Sequence, residues 1–399
     1  MWLVQMVLIA VSAAAVGSTS RLADANHLAS ATVGMRWLAL IVLLLAAQLI
    51  PLPLGWSHPI WGSAAEALPL GFGHITVDIG RTVQALVASL AWLAAVIVSI
   101  IVTRDRRRAE LALLAAAAVS TILSLAVIIQ DLSPAGSIRT ISREVALCFG
   151  QLGILLNTAV LFLAVERRET RRREAAHYLP IGFGGFAAIL VNATALVRIA
   201  PVSQWVAVGV GSAILLILLV IRRFALSRWT IGALGVATIV GIAILAAWLF
   251  DRNAAASGLL RFVAPPANDT MIILQRMIAD SRWFGSGANA FDVLGRIYST
   301  DAATEALRAP ATAIQLAVET GWLGLLVFLG SGLVLFVVLC RGALERGRDW
   351  FFPAVAAASV AAGLCSSFVA QGLFNPSVAL TVAVLVGTGL AQGYSPSRH

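Results

Sequence analysis

The sequence predicts an all-α, polytopic integral membrane protein, and three features predict it. Hydrophobic residues make up 60% of the 399 positions and charged residues only 12%, with a mean hydropathy of +0.92. A soluble domain carries charge at about a quarter of its positions. Apolar runs near bilayer-spanning length recur along the whole chain. Arginines gather in alternate connections between those runs, as expected of a chain oriented by the positive-inside bias.

Taken in order, the runs fall at 2–17, 35–54, 83–103, 109–130, 145–165, 178–199, 202–221, 230–250, 312–340, 351–371 and 378–394. They predict about eleven transmembrane helices in a single domain over 1–399. The first run is short and lacks the basic flank of a signal peptide, so it reads as an uncleaved span. The run 312–340 is longer than one crossing needs, so a tilted or partly extramembrane start is expected there. Two segments are left between spans on one side. Residues 51–82 are rich in proline, glycine and tryptophan, a composition suited to the membrane interface. Residues 251–311 form the one long loop, and a loop of this length is usually functional or disordered. Within it, 268–283 reads as a helix with Asn268 or Asp269 at its N-cap and "GSG" (285–287) as its stop.

The net charge of +9 comes wholly from arginine, since the chain contains no lysine. "RDRRR" (104–108), "ERRETRRRE" (166–174), "IRRFALSR" (221–228) and "RGALERGR" (341–348) lie on alternate connections, which must share one side. The positive-inside bias assigns that side to the cytoplasm. The N-terminus and the 251–311 loop are then on the outer side and the C-terminus on the cytoplasmic side. A basic membrane protein places cations this way without any nucleic-acid partner. Cys148, Cys340 and Cys365 lie in or beside apolar runs with no metal-type spacing and read as packing residues. "GFGG" (182–185) reads as close helix packing. No P-loop, H-E-x-x-H or G-x-S-x-G stands in the sequence, so neither a metal nor another cofactor is expected.

Several arginines break the orientation rule. Arg252, Arg261, Arg276, Arg282, Arg296 and Arg308 lie in the long loop, and Arg198 ends a span on the same side. An anionic ligand there is one reason, because guanidinium grips phosphate oxygens in bidentate geometry without a metal. Local pairing is the other: the loop also holds Asp251, Asp269, Asp280, Asp292, Asp301 and Glu305, and Arg276 and Asp280 have helical i, i+4 spacing. Arg198 either snorkels or is used. Glu319 stands inside an apolar run one turn from the outer helix start, as a general base or as a capping and pairing group.

Three stretches together resemble the O-antigen ligase and polysaccharide polymerase family of bacterial inner membranes. "AQLIPLPLGW" (47–56) followed by "DIGRTVQALVASLAWLAAVIVSIIVTRDRRR" (78–108) is similar to the family's early Pro-rich outer loop and next span. "QRMIADSRWFGSGANAF" (275–291) resembles its helix, Asp-x-Pro, G-x-G and Phe segment. "APATAIQLAVETGWLGLL" (309–326) resembles its His-Asn, Leu-Gln, Glu-Thr-Gly helix start. The resemblance implies metal-independent glycosyl transfer on the periplasmic face. The donor would be an oligosaccharide on undecaprenyl pyrophosphate, and partners would include membrane lipid and polysaccharide assembly proteins such as a chain-length regulator. It also implies that outer arginines, here Arg198, Arg261, Arg276 and Arg308, hold the pyrophosphate. The chain departs from the pattern at three places. The family's second arginine would fall near Ala267, so Arg261 or Arg276 would have to substitute for it. Pro310 stands where the family has its histidine, and Asp280-Ser281-Arg282 replaces Asp-x-Pro. His74 is a candidate to approach from the first loop, and Glu319 is the candidate base. The expected function is polymerisation of lipid-linked repeats in exopolysaccharide or O-antigen synthesis. The alternatives are an O-antigen ligase, a flippase or transporter for the same lipid-linked substrate, or a non-catalytic family member.

Overall fold

The computed structural model describes residues 5, 7, 9–10, 32–67, 71–132, 141–170, 175–224, 268–281, 283–298 and 309–393. The run 230–250, most of 2–17, and parts of the 251–311 loop lie outside the described residues. The rest is a helical bundle. Its described helices are α1 (Thr32–Ala47), α2 (Pro59–Ala67), α3 (Ile79–Val102), α4 (Arg106–Leu132), α5 (Arg143–Thr170), α6 (Ala175–Ile199), α7 (Val202–Phe224), α8 (Asn268–Asp280), α9 (Phe291–Tyr298), α10 (Thr312–Glu319), α11 (Gly321–Glu345), α12 (Phe351–Ser367) and α13 (Pro376–Gly393). A two-residue antiparallel pair, β1 (Leu52–Pro53) with β2 (Phe72–Gly73), closes the first loop.

Seven of these helices, α3 to α7, α11 and α13, are long and apolar enough to cross a membrane, and α1 and α12 are shorter apolar helices. The chain is therefore a membrane-embedded helical protein. Nine of the apolar runs read from the sequence fall on described helices. One needs correcting: the run 312–340 is not a single helix but breaks at Thr320, giving the short α10 and then α11. Glu319 accordingly ends a separate short helix and lies outside the spanning one.

The centre of the bundle is α12, which packs against α5, α7, α11 and α13. From Phe351 to Ala362 every residue of it is buried. A helix that is apolar all round belongs in an interior, and alanine at six of these positions, 354, 356–358 and 361–362, lets the neighbouring helices approach. Phe351, Phe352, Leu155, Leu156, Leu163 and Leu215 fill the space around it. Helices α4, α5 and α6 form a second layer with a polar seam: Ser124 Oγ bonds Asn192 Oδ1 at 2.8 Å, and Asn157 and Asn192 both donate to Thr121 Oγ1. Gln204 reaches Gln151 at 2.6 Å between α7 and α5. Uncharged hydrogen bonds of this kind join helices where lipid offers no hydrophobic drive for association. Within "GFGG", Gly185 meets Val160 and the Asn157 carbonyl on α5, in keeping with close helix packing.

The arginine-rich connections do share one end of the bundle. Arg106 and Arg167 both reach Asp349 Oδ1 at 2.9 Å, and Arg167 also pairs with Glu110. Glu166 accepts from the Asp349 backbone N–H at 3.0 Å. Arg222 donates to the carbonyls of Ala343, Arg346 and Gly347 and lies 5.2 Å over the Trp350 ring. Four runs, distant in sequence, thus meet at the turn 346–350. They are more than topogenic: Arg167 is only 2% exposed, and a charge that deep persists because it is paired and hydrogen-bonded.

Candidate functional site

The opposite end of the bundle carries the two outer segments, stitched to each other through the turn after α10. Gly321 takes φ +70°, a conformation costly to any residue with a Cβ. An added Cβ there would collide with the Trp283 carbonyl and lie 2.5 Å from Gly285 N. Gly285, with φ +71°, packs reciprocally against the Glu319 carbonyl and Gly321 N. The backbone closes the contact: Ser286 N donates to Val318 O at 3.0 Å, Gly287 N to Glu319 O at 2.8 Å, and Leu323 N to Trp283 O at 3.1 Å. The "GSGANAF" and "ETG" motifs are therefore two halves of one interlocked turn. The expected role of "GSG" as a helix stop is corrected: α8 ends earlier, at Asp280, and "GSG" forms this buried turn instead.

The third motif segment joins them. Gln48, 2% exposed, donates to the carbonyls of Phe284 and Glu319 and accepts from Ala288 N. Val77 N donates to Ser286 O, and Thr82 Oγ1 to Ala288 O at 3.2 Å. Asp78 caps α3 by accepting from Arg81 N at 3.0 Å, the usual service of an aspartate before a helix. All three stretches that carry the family resemblance thus converge on one place.

Glu319 lies at that convergence, 5% exposed. Its Oε1 accepts from Gln315 Nε2 at 3.0 Å and from Phe291 N at 3.4 Å. Burial pushes the carboxyl up to about 7, although hydrogen bonds from Gln315 and from the backbone at Asn289 and Phe291 favour the charged form. Two cavities meet beside it. One, of about 450 Å3, is predominantly apolar and runs between α1, α3, α11 and α13, with Leu45, Trp92, Phe328 and Phe374 in its walls. The other, of about 140 Å3, is lined wholly by polar side chains: Arg81, Gln84, Asn289, Asp292, Gln315 and Glu319. Gln84, Asn289 and Glu319 border both. An apolar channel of this size with a few convergent polar groups at one end is a usual ligand site.

Of the expected arginines, the two that are described, Arg198 and Arg276, line neither cavity. Arg198 Nη1 is 2.9 Å from Asp131 Oδ2 in a half-exposed pair, and Arg143 beside it donates twice to Ile199 O. Helix direction puts this pair at the same end of the bundle as Glu319. Arg276 is exposed on α8, which buries Leu274 and Met277 against α9 and α10. The i, i+4 pairing read for Arg276 and Asp280 is not formed; Asp280 accepts instead from the Tyr298 hydroxyl at 2.6 Å. Arg261 and Arg308 lie outside the described residues. Pro310, partly exposed, precedes α10 and lines neither cavity. His74 does not take the missing histidine's place: it bonds Leu49 O at 3.0 Å, packs edge-on against Trp61 and Phe72, and lines neither cavity.

Arg81 was not among the residues singled out from the sequence. Its Nη1 donates to Asn289 O at 3.2 Å and lies 3.6 Å from Asp292 Oδ2, while Nε is 3.7 Å from Asp78 Oδ2. The signal was present in "DIGRTVQ": an arginine at the start of an apolar helix, at the end opposite "RDRRR", breaks the orientation rule as Arg198 does.

Compared with known proteins, the chain matches no family model, and no curated protein matches it.

Proposed function

We propose that the protein is a polymerase-type glycosyltransferase of the bacterial inner membrane, joining oligosaccharide repeats carried on undecaprenyl pyrophosphate at the periplasmic face. The observation that carries this reading is the meeting of an apolar intramembrane cavity with a polar pocket at one buried carboxyl. A substrate with a long apolar chain and a hydroxylated head has that same two-part character. The resemblance of three motif stretches, which the fold brings together, adds to it.

In this reading Glu319 is the catalytic base. It takes the proton from an acceptor hydroxyl as that oxygen bonds the anomeric carbon of the donor. The bond from that carbon to the pyrophosphate oxygen breaks, and undecaprenyl pyrophosphate departs. A carboxyl titrating near neutral pH is matched to such general-base work. Arg198, Arg261, Arg276 and Arg308 hold the departing pyrophosphate, stabilising charge as it develops. Among the described residues, the side chains that join the helices in the buried seam, Ser124, Asn157, Asn192, Gln151 and Gln204, are uncharged, which favours transfer at one face over carriage through the bilayer midplane. Pro310 at the histidine position weighs against the ligase alternative.

Arg198→Ala and Arg276→Ala test the clamp. Each is expected to abolish long-chain polysaccharide while leaving the protein inserted at normal abundance. Normal polysaccharide from both variants would remove the clamp from the account.

A further inference from the structure

The polar pocket beside Glu319 has a charge balance that selects its ligand. Its described walls contribute one guanidinium, Arg81, against two carboxyls, Asp292 and Glu319. A third carboxylate, Asp78, shares the guanidinium from outside. Arg81 is thus already engaged by two acids and by the Asn289 carbonyl. A pyrophosphate placed here would face more negative than positive charge and would have to displace those partners.

What remains is a ring of mixed donors and acceptors. Gln84, Asn289 and Gln315 offer amides that both donate and accept, Asp292 offers acceptor oxygens, and Arg81 offers donors. Such a set pairs with hydroxyl groups, each of which donates once and accepts twice. We propose that this pocket is a subsite for an uncharged polyhydroxyl ring, with Arg81, Gln84, Asp292 and Gln315 reading its hydroxyls while the pyrophosphate is held elsewhere. The assignment rests on the glycosyltransferase reading and deepens it. It places a sugar hydroxyl within reach of the Glu319 carboxyl and leaves the phosphate to arginines outside this pocket. Gln315 has a second task, since its Nε2 already orients Glu319. Gln84 sits where the two cavities join and would face the boundary between ring and chain.

The test uses the purified full-length protein in lipid nanodiscs and saturation-transfer NMR. The probes are a panel of methyl hexosides and, separately, inorganic pyrophosphate. At least one neutral glycoside is expected to give saturation transfer, weakened tenfold or more in Gln84→Leu and Asp292→Ala, and undiminished by pyrophosphate. Gln84→Leu avoids the hydrogen bond that holds Glu319, so a folding loss is not expected from it; an unchanged melting profile checks this. Two results would overturn the assignment. One is a pocket that takes pyrophosphate, more tightly in Asp292→Asn. The other is a folded protein that binds none of the glycosides. The polymerase reading fails separately: glycoside binding by the protein, with unchanged polysaccharide in a strain lacking it, would leave the pocket standing and remove the reaction.

Discussion

Replacing Glu319 by glutamine should flatten the protein's pH-dependent stability near neutrality. The carboxyl lies outside the spanning helices, buried, with its pKa raised from 4.5 to about 7 by desolvation. Below pH 4.5 the group is protonated in both folded and unfolded chains and contributes nothing. Between pH 4.5 and about 7 the unfolded chain ionises while the folded one stays protonated, so stability falls as pH rises. Above about 7 both are charged and the loss is complete. From the shift of 4.5 to about 7, at ~1.4 kcal/mol per unit, that loss is about 3–4 kcal/mol. Glutamine keeps an oxygen for Gln315 Nε2 and Phe291 N and never ionises. The assay is a melting profile of detergent-purified wild type and Glu319→Gln at pH 5, 6, 7 and 8. The variant should gain on the wild type from pH 5 to about 7 and then hold that gain at pH 8, and other titrating groups cancel in the difference except Asp292, which faces Glu319. Parallel profiles would refute the reasoning, because they would mean that the carboxyl is solvated.

Three further outcomes follow from the same geometry. Gly321→Ala should cost about 1–3 kcal/mol for the left-handed backbone alone, plus the collision with Trp283, and should lower folded yield sharply. Gly209→Ala, where an added Cβ meets nothing within 4 Å, should be neutral or stabilising by up to about 1 kcal/mol; equal yields from the two variants would contradict the interlocked turn. Arg167→Ala removes one of the two guanidiniums shared by Asp349 and Glu110, Arg106 being the other, and should destabilise by about 1–3 kcal/mol, whereas Arg198→Ala removes a half-exposed pair worth about 0–1 kcal/mol; denaturant midpoints compare them. If Glu319 is the base, polymer formation in vitro should rise with pH through about 7, and Glu319→Gln should lose about 10²–10⁴-fold of it with no such rise.

Much of this arrangement is legible in the sequence, and the limits have physical reasons. Long apolar runs announce spans because a bilayer leaves little choice of structure, and alternating arginine runs announce a shared end, which Asp349 then gathers. The break at Thr320 was hidden because α10 and α11 are both apolar; the clue was the glycine after Glu-Thr, meaningful only beside Trp283 and Gly285. Arg81 and Gln48 escaped notice because each sits in an apolar context with an ordinary explanation, a capped helix and a helix end. Their partners, Asn289, Phe284 and Ala288, lie more than 200 residues away, and no local pattern registers that. Asp292 read as one of several loop acids until α9 placed it opposite Arg81.

The most direct test of the central claim is the size distribution of surface polysaccharide and lipid-linked intermediates in a strain lacking the gene. The account predicts that long chains vanish and single repeats accumulate on the undecaprenyl carrier at the periplasmic face. Long chains retained on the carrier, or a profile identical to that of the parent strain, would contradict it.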